Sequence, residues 1–128
     1  MRKRTGLRLK YIEDHNAHMS AKKFRSAFVA MAPDVDPTVH RSVIETPIYS
    51  LTSVLVRNED EAVTVCREMA RTDGVHSFVL CPGFTNRGVG RVAEAVGDGV
   101  SVNVARGDGP GSAVVHKVMS EAGFFARR

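Results

Sequence analysis

Apolar residues occur along this chain in short continuous runs that alternate with segments of helical periodicity. Four runs have the length and composition of β-strands, at residues 24–32, 48–56, 75–81 and 100–105. The first is apolar throughout its second half, which is typical of a parallel strand covered on both faces. The last alternates valine with polar or small residues, which indicates a half-exposed strand at a sheet edge.

The segments between the strands have the capping residues of helices. Asp36 and Pro37 fit the N-cap and first position of a short helix that ends near Glu45. Asn58 fits the N-cap of the clearest helix in the chain, with acidic residues in its first turn. Gly74 is the expected end of that helix, because glycine accepts the left-handed conformation found after many helices.

Two further helices are predicted in the second half of the chain. One begins at Thr85 or Asn86 and ends at Gly97, with valine and alanine at helical spacing. The other spans about residues 112–122. The apolar positions of this last helix, which we expect to face inward, are Val114, Val115, Val118, Met119 and Ala122.

The alternation of strands and helices sets the fold class. It implies a parallel sheet with right-handed crossovers. We therefore predict a single small α/β domain over residues 23–128, with about four parallel strands in an open Rossmann-like or flavodoxin-like sheet. The chain has 128 residues of which 43% are hydrophobic, enough for one core. No apolar run approaches the roughly 18 residues that a membrane span needs.

The net charge of +4 is concentrated at the N-terminus. Residues 1–22 contain six Lys or Arg and two acidic residues, whereas the remainder contains 12 of each. This balance argues against nucleic acid as a partner of the domain. Residues 1–22 are expected to be a solvated extension, with weak contact to nucleic-acid phosphates as the alternative. Two cysteines make no disulfide framework and the N-terminus lacks a secretory signal, which favours the cytoplasm.

Two Gly-rich loops stand where a predicted strand passes into a helix, at residues 81–88 and 106–112. The carboxyl ends of parallel strands share one edge of a sheet, so both loops should surround one pocket together with residues 33–41. Backbone N–H groups at such turns attract anions; simple turn geometry is the alternative explanation. The residues expected to hold an anionic metabolite are Arg41, Gly83, Asn86, Arg106, Gly107 and Ser112. The alternative for Arg106 is an ion pair with Asp108 at the surface.

Neither loop predicts a cofactor or a metal. Both lack the Gly-Lys-Ser/Thr end of a P-loop, and a GxGxxA spacing that begins at Gly88 falls inside a predicted helix. The five histidines do not form a metal-binding motif, because no group of them has both the spacing of metal ligands and a further ligand residue nearby. We therefore predict no cofactor and no metal ion.

Two residues near this edge are candidates for catalysis. Cys81 ends the third strand beside a helix N-terminus and could act as a nucleophile, although an inert strand cysteine is the alternative. His40 could act as an acid or base, with Arg41 as an anion clamp; a solvated helix face is the alternative. Glu45 lies four residues after Arg41 and could pair with it on a helix. Cys66 has apolar neighbours at helical spacing and is expected in the core.

Several motifs carry a family resemblance. They are AFVAMAP at residues 27–33, DP at 36–37, HR at 40–41, IETP at 44–47 and CPGFTNRG at 81–88. These motifs are similar to those of a group of small bacterial proteins of uncharacterised function, over about residues 24–107. The resemblance implies a compact α/β domain and assigns no activity.

Two classes of function fit these residues. The first is a cofactor-independent enzyme of lyase or isomerase type that acts on a small anionic metabolite. The second is a non-catalytic ligand-binding or regulatory module that uses the same pocket. Convergence of His40 and Cys81 on one cavity would favour the enzyme. Sheet edges and the pair Phe124-Phe125 also make a homo-oligomer plausible, with packing under their own domain as the alternative for the two rings.

Overall fold

The structure, a computed structural model, describes residues 23–107 and 109–126. The strands are β1 (Phe24–Met31), β2 (Arg41–Glu45), β3 (Tyr49–Val56), β4 (Ser77–Leu80) and β5 (Ser101–Val104). The helices are α1 (Glu59–Thr72), α2 (Asn86–Val96) and α3 (Gly111–Glu121). The expected N-terminal extension, residues 1–22, lies outside the described residues, and so do Asp108 and residues 127–128.

The five strands form one mostly parallel sheet in the order β2-β3-β1-β4-β5. β1 lies at the centre and pairs in parallel with β3 and β4, and β4 pairs in parallel with β5. The predicted α/β class is confirmed. The four predicted strands are all present, and β5 lies at an edge of the sheet as its alternating pattern indicated.

The segment between β1 and β3 differs from the prediction. The helix expected from residue 37 to 45 is wrong: one turn is followed by β2, which pairs antiparallel with β3. Asp36 does cap that turn, since its carboxylate accepts bonds from the backbone N–H and the hydroxyl of Thr38, and these bonds lower the pKa of Asp36. The helix does not continue because β-branched Val43 and Ile44 favour a strand that β3 can pair with.

The expected pair between Arg41 and Glu45 is also wrong. Residues four apart are neighbours on a helix, but along a strand they lie about 13 Å apart. Arg41 Nε instead donates to the carbonyl oxygen of Pro37 at 2.8 Å, and Glu45 Oε1 lies 3.5 Å from Lys23 Nζ.

Helix α1 begins and ends at the residues that the sequence indicated. Asn58 Oδ1 accepts a bond from Glu61 N–H at 2.8 Å, and Gly74 follows the helix with a φ of +69°. The Glu61 carboxylate accepts from the backbone N–H of Arg57, whereas in a capping box it would accept from the N–H of the N-cap residue Asn58.

The hydrophobic core lies between one face of the sheet and helices α1 and α2. The fully buried strand residues all point to this face, where Cys66 and Met69 of α1 and Val92 of α2 pack against them. The strand residues of this core are Ala27, Val29, Val54, Val56, Phe78 and Leu80.

Chain direction explains why both helices lie on the same face. The connections from β3 to β4 and from β4 to β5 run in one direction across the sheet, and right-handed crossovers place both helices on one side. The step from β1 to β3 runs the other way and would place a helix on the opposite side. That connection forms β2 instead, so it supplies no helix to the opposite face.

Helix α3 has the predicted length but not the predicted packing. Its apolar positions were expected to face inward, yet Val114, Val115 and Val118 are 66%, 56% and 57% exposed. The periodicity therefore predicted the helix correctly, but it did not indicate which of its residues are buried in this chain. No helix of the described residues has the length and apolar character needed to cross a membrane.

A candidate ligand-binding cleft at the carboxyl edge of the sheet

A cleft of about 1080 Å³ lies at the carboxyl edge of the sheet. The segments that leave β1, β3, β4 and β5 line it at residues 30–33, 57–60, 81–83 and 106–107, and α3 contributes from residue 111 onward. Pockets that hold organic ligands measure about 300–1,000 Å³. The cleft is therefore large enough for an organic molecule rather than only a small ion.

Most of the cleft wall is apolar, and charged groups are grouped around it. The apolar residues are Ala30, Met31, Ala32, Pro33, Pro82, Val115, Met119, Phe124 and Phe125. The titratable residues other than Cys81 are Arg57, Glu59, Asp60, Arg91, Arg106 and His116. Such a lining suits a ligand with an apolar body and a charged group.

Arg57 and Arg91 each form an ion pair with a carboxylate. Arg57 Nη2 lies 2.5 Å from Glu61 Oε2, and this pair raises the pKa of Arg57 and lowers that of Glu61. Arg91 Nη2 lies 2.7 Å from Asp60 Oδ1. These pairs leave little net charge from either arginine for a ligand.

The N-terminus of α2 holds a carboxylate from the chain itself. Glu59 Oε2 accepts a bond from the backbone N–H of Thr85 at 2.7 Å, and both carboxylate oxygens lie within hydrogen-bond distance of Thr85 Oγ1. Thr85 Oγ1 in turn accepts from the backbone N–H of Gly88 at 3.0 Å. A Cβ at Gly88 would overlap the Glu59 carboxylate, so glycine leaves room for that carboxylate at the helix N-terminus. At this end of loop 81–88, turn geometry and capping therefore account for the sequence better than an anion site does.

The second Gly-rich loop packs directly against the first. A Cβ at Gly107 would overlap the ring of Pro82. Ser112 Oγ donates to the carbonyl oxygen of Gly107, and Ser112 N–H donates to that of Gly109 at 3.1 Å. Pro110 occupies the N-cap of α3 and provides no side-chain cap. These contacts hold the positive end of the α3 dipole at the cleft.

The structure brings together part of the predicted site. The predicted residues that line the cleft are Cys81, Gly83, Arg106, Gly107 and Ser112. From the predicted segment 33–41, Pro33 lines it as well. Asn86 is the first residue of α2 and is not among the lining residues.

His40 and Arg41 do not line the cleft. His40 Nδ1 accepts a bond from the backbone N–H of Asp36 at 2.9 Å. Arg41 lines a separate cavity of about 260 Å³ beside Asp73. The structure therefore does not bring His40 and Cys81 to one cavity, and their catalytic roles stay predictions.

Sequence reasoning missed five charged or titratable residues of the cleft, namely Arg57, Glu59, Asp60, Arg91 and His116. Arg57 is the first residue after β3, so the rule that placed Cys81 at the carboxyl edge applies equally to it. Arg91 reaches the cleft from α2. His116 stacks on Phe125 with ring centroids 5.0 Å apart, and no signal in the sequence indicated that α3 would border the cleft.

A metal site is not formed by the part of the chain that the structure describes. In residues 23–107 and 109–126, no three side chains of His, Cys, Asp or Glu cluster closely enough to hold an ion. Two of the five histidines, His15 and His18, lie outside these residues.

Comparison with known proteins identifies the family. A family of unknown function, DUF6506, matches residues 24–120, which run from the start of β1 nearly to the end of α3. This chain belongs to DUF6506. The predicted resemblance to an uncharacterised family is confirmed. No curated protein and no solved structure matches the chain, so these comparisons assign no activity to this DUF6506 member.

The two thiols of this DUF6506 protein should differ sharply in reactivity. Cys66 is fully buried under the sheet, and burial raises the pKa of its thiol to about 12. Cys81 is half-buried and lines the cleft. We expect one thiol equivalent to react with an aromatic disulfide reagent at pH 8 in the folded protein, and the second after addition of denaturant. Cys81→Ser should abolish the native reaction. Two equivalents released from the folded protein would contradict this assignment.

Proposed function

We propose that this protein binds an organic anion with an apolar body in the cleft at the carboxyl edge of the sheet. The observation that carries the proposal is the composition of the cleft, in which an extended apolar wall meets Arg106 and the N-terminus of α3. Ligand pockets commonly combine an apolar lining with a few polar groups that fix orientation.

The residues that line the two sides of the cleft support a ligand with an apolar body. Met31 and Pro82 line the cleft from the sheet, whereas Met119 and Phe124 line it from the helical side. A small inorganic anion would leave most of this surface exposed to water. A molecule with an alkyl or ring system would cover it, and removing apolar surface from water is favourable.

The residues at one end of the cleft support an anionic group on the ligand. Arg106 leaves β5 beside Gly107, and α3 begins four residues after Gly107 with its positive dipole end at the cleft. At this end a guanidinium side chain lies beside the positive end of a helix dipole, and we propose it as the position of the anionic group.

A binding role fits this geometry better than catalysis by His40 and Cys81. A general acid or base must come within hydrogen-bond reach of the atom on which it acts. His40 lies outside the cleft and its Nδ1 accepts a backbone bond, whereas Cys81 lies in the cleft. We therefore favour a ligand-binding or regulatory module over the lyase or isomerase alternative.

Calorimetric titration with octanoate, 1-octanol and inorganic phosphate tests the proposal. We expect octanoate to bind most tightly, because it has both an alkyl chain and a carboxylate. Arg106→Ala should weaken octanoate binding about 10- to 100-fold, since a hydrogen bond to a charged group contributes about 1.5–3 kcal/mol. The same substitution should leave the weaker binding of 1-octanol unchanged.

Arg67→Ala is the matched control, because Arg67 is exposed on α1 and does not line the cleft. It should bind octanoate like the unmodified protein. Absence of octanoate binding, or binding that Arg106→Ala leaves unchanged, would refute the proposed function. Phosphate binding tighter than octanoate binding would refute the apolar body.

A further inference from the structure

The side of the sheet opposite α1 and α2 carries a continuous uncharged surface, which we call the open face. Side chains alternate between the two faces of a strand, so the paired register assigns each residue to one face. The open face comprises Phe24, Ser26, Phe28, Ala30, Ser42, Ile44, Tyr49, Leu51, Ser53, Leu55, Ser77, Val79, Ser101 and Asn103.

No helix of residues 23–107 and 109–126 packs over the open face. Helices α1 and α2 pack on the other side, and α3 borders the cleft at the carboxyl edge. The connection that would have supplied a covering helix forms β2 instead. As a result Phe24 is 53% exposed and Ile44 is 66% exposed, and Phe28, Leu51 and Val79 are half-buried.

A mostly parallel sheet with one uncovered face is unusual. Parallel strands occur almost entirely in sheets that are covered on both sides. β1 has the sequence of such a strand, because Phe28, Val29 and Ala30 are apolar in succession although only Val29 faces the helices. The apolar residues at eight of the 14 open-face positions, most of them on β1 and β3, therefore favour a surface that a partner covers.

We propose that a second copy of this chain covers the open face, so that two sheets pack face to face in a symmetric dimer. A two-fold interface brings the same patch of both copies together, and like charges near the axis would repel each other. The open face has no charged residue at any of its positions. The open faces of two copies can therefore come into contact without repulsion between like charges.

Charge also argues against the other candidate occupant, which is residues 1–22 of the same chain. That segment contains six Lys or Arg and two acidic residues. The open face offers no carboxylate to pair with them, and burying unpaired basic groups is unfavourable. A second copy of the face brings no such charge.

The size of the face is compatible with a dimer. Five strands spaced by about 4.8 Å, with lengths of about 13–26 Å, give a projected area of roughly 450 Å². Two such faces bury on the order of 900 Å² together, which is below the standard interface of about 1,600 Å² and is typical of a weak, concentration-dependent dimer. The rings of Phe24 and Tyr49, whose centroids lie 5.4 Å apart, extend the surface at the amino end of the strands.

Ser53→Glu tests the dimer with little risk to the fold. Ser53 is already exposed and lies on β3, next to Phe28 of β1 in the paired register. A glutamate there remains in water in a single chain but would be buried between two sheets. Light scattering coupled to gel filtration should give twice the 13.9 kDa chain mass for the full-length protein and the single-chain mass for Ser53→Glu.

Thr64→Glu is the matched control, since it places the same acid on the exposed surface of α1. It should keep the doubled mass. Ser53→Lys should give the single-chain mass like Ser53→Glu, and circular dichroism should show that both variants are folded. A single-chain mass for the unmodified protein at about 100 μM, or a doubled mass for folded Ser53→Glu, would overturn the proposal. Neither result depends on ligand binding in the cleft.

Discussion

Replacement of Phe78 by alanine should lower the free energy of unfolding by about 3–5 kcal/mol. Phe78 is fully buried and is among the largest side chains of the core, where it lies on β4 between Ala27 of β1 and Val102 of β5. Its removal leaves a cavity that the rigid sheet beneath it cannot close. Urea unfolding followed by circular dichroism measures the change.

Phe125→Ala is the matched control for Phe78→Ala. Phe125 is 57% exposed, so its loss should change stability by about 1 kcal/mol or less. Domains of this size are stable by about 5–15 kcal/mol, and Phe78→Ala therefore removes a large part of the total. Equal effects of the two substitutions would show that the core does not centre on Phe78.

Gly107→Ala should separate the two loops that border the cleft. The added Cβ would overlap the ring of Pro82, and a proline ring has little freedom to move aside. Such overpacking costs about 1–3 kcal/mol of stability. Because Arg106 and Ser112 lie on the displaced loop, we expect octanoate binding to weaken at least about tenfold, as measured by calorimetry.

Gly99→Ala provides the comparison for Gly107→Ala. A Cβ at Gly99 would meet no atom within 4 Å, and Gly99 does not line the cleft. Stability and octanoate binding should therefore remain close to those of the unmodified protein. Normal binding by Gly107→Ala would show that contact between the loops does not shape the site.

Local sequence signals were sufficient for the elements that make the core. The apolar runs at β1, β3 and β4 and the caps at Asn58 and Thr85 appear in the structure close to their predicted positions. These signals are reliable because burial and capping act on the same few residues that produce the pattern. The α/β class followed from their order along the chain.

The signals were insufficient where tertiary pairing decided the outcome. Asp36 caps a turn as predicted, but whether a helix follows depends on β3, which offers an edge to Val43 and Ile44. For α3, periodicity located an apolar stripe without specifying what it contacts. A sequence pattern specifies which residues avoid water, not which neighbour excludes it.

The same distinction applies to the cleft. The shared edge of parallel strands predicted that Cys81 and Arg106 would border one pocket, and both line it. His40 and Arg41 were placed there through a helix that does not form, and the structure brings neither to the cleft. His116 depends on the position of α3, which no short-range rule provides.

The central position of β1 has a consequence for the order in which the chain folds. Its partners β3 and β4 both lie far along the sequence, so each pairing must close a long loop before it gains any contacts. Strands β2 and β3 are antiparallel and joined by three residues, so their hairpin can form locally. We therefore expect the β2–β3 hairpin to form before β1 pairs with β3. The later pairing of β1 with β3 and β4 should then limit the overall folding rate.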